Sequence, residues 1–429
     1  MENEMFEAII IGGGLSGLSA AYILACEGKE VLLLERGDYC GSKNVTGGRI
    51  YIKPIRDYFP GLWERAPFER HIACEEVSII SSQGSLTLTY AGQELNQEPY
   101  QSYSVLRGKF DKWFAKQAEN KGAIILAKNK VDDLVFDNGK VAGVIVGGDE
   151  LRANVVIACD GVLSFAARRA GLRKPYNPHN YALGIKEVIE LNRETLESRF
   201  NLEGDQGAAR LFMGDITAGK FGGGFLYTNK DSISLGMVVG IHALTEEPLI
   251  SAPELMDRFK QNPSVAKLIK GGNTVEYSAH VIPEGGLNMI GRLYGDGIIV
   301  AGDAGGFSMN IGVTVRGMEY AMATGYWAAK AVVKASENGD FSADGLSVYE
   351  KMLNDSFVIK DFNNFKHALS ALDNPNLFTV YPELVTNIMR DIYEVPSGPK
   401  ERLFPTAKKH LGFKTLFGAY KDLKGVTRI

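Results

Sequence analysis

The stretch that most constrains this chain is its beginning, where an apolar run breaks into glycines and resumes as a helix. Glu7 to Ile11 reads as a buried strand, Leu15 to Glu27 as a helix and Val31 to Glu35 as a second strand, with Gly28 where a helix C-cap is expected. Between strand and helix lies Gly12-Gly13-Gly14-Leu15-Ser16-Gly17, which satisfies G-x-G-x-x-G at Gly12, Gly14 and Gly17. The first glycine permits the tight turn, the second lets the backbone approach a pyrophosphate, and the third allows close helix–strand packing. Phosphates would then sit at a helix N-terminus, where unsatisfied amides and the dipole favour negative charge. Glu35 ends the second strand, where a carboxylate accepts hydrogen bonds from ribose hydroxyls. Glycine-rich turns are common, but strand, glycines, helix and acid fall in register here, and together they predict a dinucleotide-binding βαβ unit. This unit alone does not separate FAD from NAD.

Two later segments bear on that choice. Asn154 to Ala158 reads as a buried strand running into Cys159-Asp160-Gly161-Val162-Leu163-Ser164, with Arg168 beyond. Ile298 to Ala301 reads as a strand ending in Gly302-Asp303-Ala304-Gly305-Gly306, followed by a helical stretch from about Thr314 to Ala335. An Asp at the carboxyl end of a parallel strand can hydrogen-bond a polyhydroxylated chain laid across the sheet edge. The plainer reading is a pair of loops of the kind that often carry Asp and Gly. Between about Tyr181 and Glu284 the pattern turns to short alternating runs such as Ser232 to Val239, with one helix near Ala252 to Lys260. Gly222, Gly223 and Gly224 lie there between Phe221 and Phe225, and glycines in a strand mark either a bulge or the close approach of a ligand.

A length of 429 residues fits two or three domains. Hydrophobic content of 45% and charged content of 23% exclude disordered and fibrous classes, and a net charge of −4 gives no reason to expect nucleic-acid binding. The acidic Glu2 and Glu4 precede only a short apolar run, which is not a signal peptide, and no apolar stretch approaches the roughly 18 residues that span a bilayer. The expectation is a cytoplasmic protein, peripheral on the inner face of the cell membrane. The 4 cysteines (Cys26, Cys40, Cys74, Cys159) lie far apart, which argues against a metal site or iron–sulfur cluster in this chain. Val144 to Gly148 offers glycines but no following helix, so a second nucleotide domain is not expected, and electrons are expected to arrive from another protein.

The combined motifs resemble the flavoproteins whose FAD domain is like that of glutathione reductase and p-hydroxybenzoate hydroxylase. That resemblance implies non-covalent FAD, with Gly12, Gly14 and Gly17 at the pyrophosphate, Glu35 at the adenosine ribose, Asp303 at the ribityl chain and Asp160-Gly161 along the cofactor, and with Arg36 and Gly302 also among the cofactor-binding residues. Arg107, in Ser104-Val105-Leu106-Arg107-Gly108-Lys109-Phe110-Asp111, is similar to a flavin-contacting arginine of this group; its other reading is a surface cation at a helix start. One family is closer. Gly222-Gly223-Gly224-Phe225-Leu226-Tyr227 running on to Gly236-Met237-Val238-Val239-Gly240, Asn262-Pro263-Ser264 with Gly271-Gly272, and Tyr277-Ser278-Ala279 with Glu284-Gly285-Gly286 resemble the electron-transfer-flavoprotein:quinone oxidoreductases. Lys43-Asn44-Val45-Thr46-Gly47-Gly48 is similar to the bacterial FixC branch, and the likeness runs to about residue 340.

The resemblance implies a glutathione-reductase/p-hydroxybenzoate-hydroxylase-like α/β fold. Its FAD domain would be discontinuous over 1–75, 104–180 and 285–338, a substrate domain would occupy 76–103 and 181–284, and a helical region would follow over 339–429. Thr46, Gly47 and Gly48 would line the flavin ring, and a helix beginning near Gly312 would aim its amides at the pyrimidine edge. The quinone head-group would meet Gly222 and Gly223, with Phe225 and Tyr227 nearby. Implied partners are the alpha and beta subunits of electron-transfer flavoprotein, a small ferredoxin-like iron–sulfur subunit, menaquinone or ubiquinone, and the membrane surface. No side chain is assigned as a general acid, since quinone protons can come from water; whether the complex splits electrons between acceptors stays open.

The terminal stretch from Lys400 to Ile429 places Arg402, Lys408, Lys409, Lys414, Lys421, Lys424 and Arg428 among Phe404, Leu411, Phe413, Leu416, Phe417 and Tyr420. This composition suits an anionic membrane or an acidic partner, or equally a solvated tail packed by its apolar residues. A geranylgeranyl-reductase-like saturase of isoprenoid chains, an FAD monooxygenase and a scaffold holding FAD structurally are the other readings. A Gly14→Val variant is expected to lose FAD completely, because the side chain would take the pyrophosphate's place; the flavin absorbance of the purified variant, relative to its protein concentration, measures this.

Overall fold

The structure is a computed structural model that describes residues 5–43, 48–410 and 422. Its first layer is a sheet ordered Ile124–Ala127, Val31–Glu35, Met5–Ile11, Asp149–Ala158, Ile298–Val300 and Tyr294–Gly295, with the first five strands parallel and the last antiparallel. The central strands are near-continuous apolar runs because both faces are covered. Ile9 and Ile10 point to opposite sides and are both fully buried. The hairpin Asp133–Asp137 and Lys140–Val146 continues from the start of the long strand Asp149–Ala158, so the glycines near Val144 serve an antiparallel turn.

The first helix, Leu15–Cys26, is apolar almost all round, which is the pattern of an internal helix. It lies between this sheet and the long helix Met318–Asn338, which ends at Gly339 in the left-handed region (φ 65°). The two helices cross at van der Waals limit. A Cβ on Gly325 would run into the Ser16 backbone carbonyl, and one on Gly17 into the carbonyl of Gly12.

The second sheet is ordered Asn273–Pro283, Tyr181–Glu190, Ser232–Gly240, Gly222–Thr228, Gln206–Gly214, His71–Ile80, Ser102–Ser104 and Arg49–Tyr51, with Ser85–Tyr90 also on His71–Ile80. All its pairs are antiparallel except Gln206–Gly214 with His71–Ile80. It therefore recruits Arg49–Tyr51 and the start of His71–Ile80 from the stretch 1–75 expected in the nucleotide domain. A three-residue strand carries no periodicity, so only its pairing with Ser102–Ser104 reveals it. One face of this sheet, carrying Ile185, Leu226, Ile233, Leu235, Met237 and Val239, packs on the helices Arg193–Phe200, Ala252–Gln261 and Pro263–Ile269. The middle helix starts with a capping box in which Ser251 and Glu254 exchange hydrogen bonds.

One expected element is corrected. The helix anticipated from Thr314, and aimed from near Gly312, starts only at Met318. Met309–Asn310 and Val315–Arg316 pair as a small hairpin instead. Ile311, Val313 and Val315 alternate with period two, which suits a hairpin, and Gly312 takes φ +83° while donating its N–H to Asn310 Oδ1 at 2.8 Å. The C-terminal region from Ala343 is helical, and its Val380–Tyr393 helix docks on the second sheet through Thr386 to Ser81 (2.6 Å) and Glu383 to Ser82. Lys414, Lys421, Lys424, Arg428 and the aromatic residues among them lie outside the described residues. Among the described residues no helix is long and apolar enough to cross a membrane.

Gly325→Ala would gain about 1 kcal/mol of helix propensity but force a methyl into the Ser16 carbonyl, an overpacking cost of about 3 kcal/mol where only backbone can yield. The expected result is a net loss of about 2 kcal/mol in urea unfolding, with Gly398→Ala, exposed and without a positive φ, as the control.

Candidate functional site

The glycine loop and the second sheet face each other across a cavity of about 760 Å³. At one end the three glycines differ in what they do. Gly12 takes φ +102° and its Cβ would overlap the Cys159 carbonyl, so it permits the turn, whereas Gly17 permits the helix to close on that turn. At Gly14 a Cβ would meet no protein atom within 4 Å, and Gly14 lines the cavity. Gly14 also N-caps the helix Leu15–Cys26 with no side-chain cap, so the first-turn amides have no capping side chain. Glu35 is buried and its two oxygens accept the N–H groups of Gly13 (2.7 Å) and Gly37 (2.5 Å), which fixes the carboxylate beside the loop. Arg36 is exposed and also lines the cavity.

Strand ends supply the middle of the wall. Asp160 follows Asp149–Ala158; its Oδ2 accepts the Ala166 N–H at 2.9 Å, while buried Oδ1 has no hydrogen-bond partner. Burial pushes its carboxyl up. Gly161 takes φ +80° beside it, with nothing within 4 Å of a Cβ position. Burial likewise pushes the Asp303 carboxyl up to about 6, opposed by the guanidinium groups of Arg107 and Arg173. Arg107 opens the helix Arg107–Asn120 but is no surface cation: it is buried, lines the cavity, and donates from Nε and Nη2 to the two oxygens of Asp111 at 2.8 Å each. A bidentate pair of this kind holds the guanidinium plane in one orientation.

The second sheet forms the facing wall by simple alternation. Gly224 and Leu226 turn to the helix side, and a Cβ at Gly224 would strike Phe259. Gly223, Phe225 and Tyr227 turn to the cavity, as do Val238 on one neighbouring strand and Gly184 and Lys186 on the next. The glycine run is a regular strand with unbroken register against Ser232–Gly240, so the bulge reading does not hold. Gly48 packs on the Tyr227 ring and lines the cavity as well. Burial raises the Tyr227 hydroxyl to about 12 despite the nearby Arg49.

The cavity wall thus gathers Gly12, Gly14, Glu35, Arg36, Gly48, Arg107, Asp160, Gly161, Asp303 and Gly312 from the nucleotide side with Gly222, Gly223, Phe225 and Tyr227 from the second sheet. Two residues singled out in the sequence are not in that wall: Gly17 is packed on Gly12, and Gly302 (φ +64°) on the Ser16 side chain. Thr46 and Gly47 lie outside the described residues. Lys186, His280, Glu284 and Asn310 also line the cavity, though no role was legible for them in the sequence. Glu284 lay inside a quoted Glu284-Gly285-Gly286 segment without a role, and Lys186 carries no local signal, since only sheet register aims it inward. Burial lowers the pKa of Lys186, whose Nζ is 3.3 Å from Glu276. Burial and the charges of Arg36 and Arg107 lower that of His280. Burial raises the Glu284 carboxyl to about 7, the Asn310 hydrogen bond (2.9 Å) opposing it.

Away from this wall, His179, His242 and Asp373 bring one ligand atom each within 4.8 Å of one another. The two imidazoles are stacked (centroids 4.1 Å apart, 19° between planes), which sets their lone pairs side by side rather than toward one centre. The Asp373 carboxylate lies 3.6 Å from His179 Nδ1 and 3.4 Å from His242 Nε2, an ion-pair contact rather than a coordination sphere.

Comparison with known proteins agrees with this geometry. The family described as "FAD binding domain" matches residues 5–196, and "ETF-QO, ubiquinone-binding" matches residues 181–282, the stretch that builds the glycine-bearing wall. The chain is 44% identical to Protein FixC of Escherichia coli O157:H7, with 100% of each chain covered. It is 41% identical to the probable electron transfer flavoprotein-quinone oxidoreductase YdiS of Escherichia coli strain K12, again over 100% of both. Among solved structures, a geranylgeranyl bacteriochlorophyll reductase-like protein of Thermoplasma acidophilum superimposes with a TM-score of 0.74 over 99% of each chain at 18% identity, which shows a shared fold.

The raised Glu284 carboxyl has a consequence for stability. The native state keeps a proton that the unfolded chain releases near 4.5, so stability falls as pH rises from 4.5 to about 7 and is level beyond. In thermal unfolding across that range, Glu284→Gln is expected to gain on the parent protein as pH rises, the gap levelling off above about 7.

Proposed function

We propose that this chain, which belongs to the FixC family of FAD-binding oxidoreductases of the electron-transfer-flavoprotein:quinone oxidoreductase type, passes electrons from a reduced electron-transfer flavoprotein to a membrane quinone. The observation that carries the reading is the shared cavity. A helix N-terminus built for a pyrophosphate and the glycine-bearing face of a sheet that resembles a ubiquinone-binding domain line the same space.

The residues present fit FAD. Gly14 leaves an open cradle at an uncapped helix N-terminus, which suits a pyrophosphate. Glu35 already accepts two backbone amides, and a carboxylate has about four lone-pair sites, so it can still accept from ribose hydroxyls. The unpartnered Oδ1 of Asp160 and the cavity-facing Asp303 are acceptors for the hydroxyl-bearing part of the cofactor. When bound, FAD supplies the redox chemistry, and the protein's task is positioning and electrostatic tuning. Arg107, locked by Asp111, places fixed positive charge in the wall. Gly222 and Gly223 line the cavity beside Phe225 and Tyr227, and a flat head-group would lie against that stretch of strand. Gly312 lines the cavity from its hairpin turn, but its N–H is given to Asn310 Oδ1, so it does not supply the free amide first expected of a helix end.

Donation from another protein fits this arrangement, directly or through a small ferredoxin-like iron–sulfur partner. Menaquinone or ubiquinone is the acceptor, met at the inner face of the cell membrane, and the complex formed with the electron-transfer-flavoprotein subunits is of a kind that can divide electrons between acceptors. The likeness to a geranylgeranyl reductase-like protein is one of fold and supports no prenyl substrate by itself.

Anaerobic mixing with reduced electron-transfer flavoprotein from the same source, its ferredoxin-like partner included, is expected to bleach the bound flavin, and a short-chain quinone is expected to restore it promptly. Bleaching by NADPH with turnover of a prenyl substrate, and none by these partners, would transfer the function to isoprenoid reduction.

A further inference from the structure

Reducing a quinone to a quinol takes two protons as well as two electrons, and the cavity contains carboxyls with distinct surroundings. Glu35 is held by the amides of Gly13 and Gly37, and Asp160 and Asp303 stand at strand ends beside the glycine loop. Glu284 belongs to neither group. It follows the strand Asn273–Pro283 and shares the wall with Ile282, Pro283, Ile311, Gly312 and Leu372. Its backbone N–H is tied to the Asn180 carbonyl (2.8 Å) and its Oε1 accepts from Asn310 Nδ2 (2.9 Å), so the backbone is anchored and the carboxyl is held by one amide at an apolar part of the cavity.

Charged groups on the elements packed about it are already engaged. Arg316 of the hairpin is bound to Glu319 (2.6 Å) and Asp361 (2.7 Å), and His179, next to Asn180, faces Asp373. Other titratable groups of the wall are poorer proton donors. His280 is disfavoured from carrying a proton by burial and by Arg36 and Arg107, and Lys186 is committed to Glu276.

We propose that Glu284 is the acid that hands a proton to the quinone oxygen within the cavity, a role that rests on the quinone-reducing reading above. The carboxylic O–H bond of Glu284 breaks as the O–H bond of the quinol forms. The two electrons come from reduced electron-transfer flavoprotein, and the Glu284 carboxylate recovers its proton from solvent, once for each of the two oxygens or once with water serving the other. Asn310 is the positioning residue, since its amide holds one oxygen and leaves the second to carry the proton. Burial raises the carboxyl to about 7, so near neutral pH it alternates between acid and base, the condition under which general-acid catalysis is most effective.

Glu284→Gln keeps the shape and the Asn310 contact but cannot release a proton. The variant is expected to hold stoichiometric FAD that dithionite reduces, to lose about 10²-fold in quinone turnover, and to lose the fall in rate that the parent protein shows as pH rises through about 7. Glu284→Asp is expected to restore part of the rate with the pH dependence. Independently of turnover, infrared spectra on either side of about pH 7 are expected to show a protonated carboxyl band that titrates in the parent and is missing in Glu284→Gln. Parent protein that reduces quinone, with Glu284→Gln matching its rate and pH profile, overturns the inference alone. A parent protein that is reduced by its partner yet transfers nothing to quinone overturns the function and the inference together.

Discussion

The site depends on how tightly the first helix is clamped. Gly17 brings it onto the carbonyl of Gly12, Gly325 lets the long helix Met318–Asn338 close on the carbonyl of Ser16, and Gly302 yields space to the Ser16 side chain. Interiors are close-packed and transmit displacement, so these three close contacts around one helical turn, two of them with backbone carbonyls, constrain where the amides after Gly14 point. A helix N-terminus that is to bind an anion must be left uncapped by side chains, and this one is. The long helix that completes the clamp lies about three hundred residues further along the chain.

Charge is distributed over the wall in two ways. Arg107 with Asp111 and Arg49 with Glu75 are buried cations with carboxylate partners, and Arg316 with Glu319 and Asp361 is a half-buried one, arrangements costly to break because a buried partner left alone would be stranded. Asp160, Asp303 and Glu284 are carboxyls that burial pushes up. The first kind makes the frame rigid, and the second puts hydrogen-bonding and proton-exchanging groups where a polar ligand would meet them.

Alternation in the second sheet then decides what faces the flavin side. A strand can present only every other residue to one face, so within Gly222–Thr228 the apolar Leu226 supports the helices while Gly223, Phe225 and Tyr227 face the cavity. Of three adjacent glycines, Gly224 makes way for Phe259, Gly222 for the Val238 carbonyl of the next strand, and Gly223 falls on the cavity-facing parity. The same rule brings Lys186 inward from a strand whose neighbours Ile185 and Glu187 look unremarkable in sequence.

The sequence by itself determined the βαβ unit, the strand-end acids and the β-rich second half, because each is written in local periodicity and in glycine or carboxylate positions that backbone geometry demands over a few residues. The family resemblance pointed to the same cavity, through segments that lie on both of its walls. Tertiary structure decided what short-range pattern does not encode. A strand as short as Arg49–Tyr51 exists only because Ser102–Ser104 pairs with it, and the Met309–Arg316 hairpin displaces the helix expected there because Asn310 captures the Gly312 amide. Arg107 proved buried rather than exposed because Asp111 compensates it, and Glu284 became an acid near neutrality because the fold removes it from water and leaves it one amide partner. Those outcomes depend on which groups meet across hundreds of residues, and burial and pairing at that range are properties of the packed molecule rather than of any segment within it.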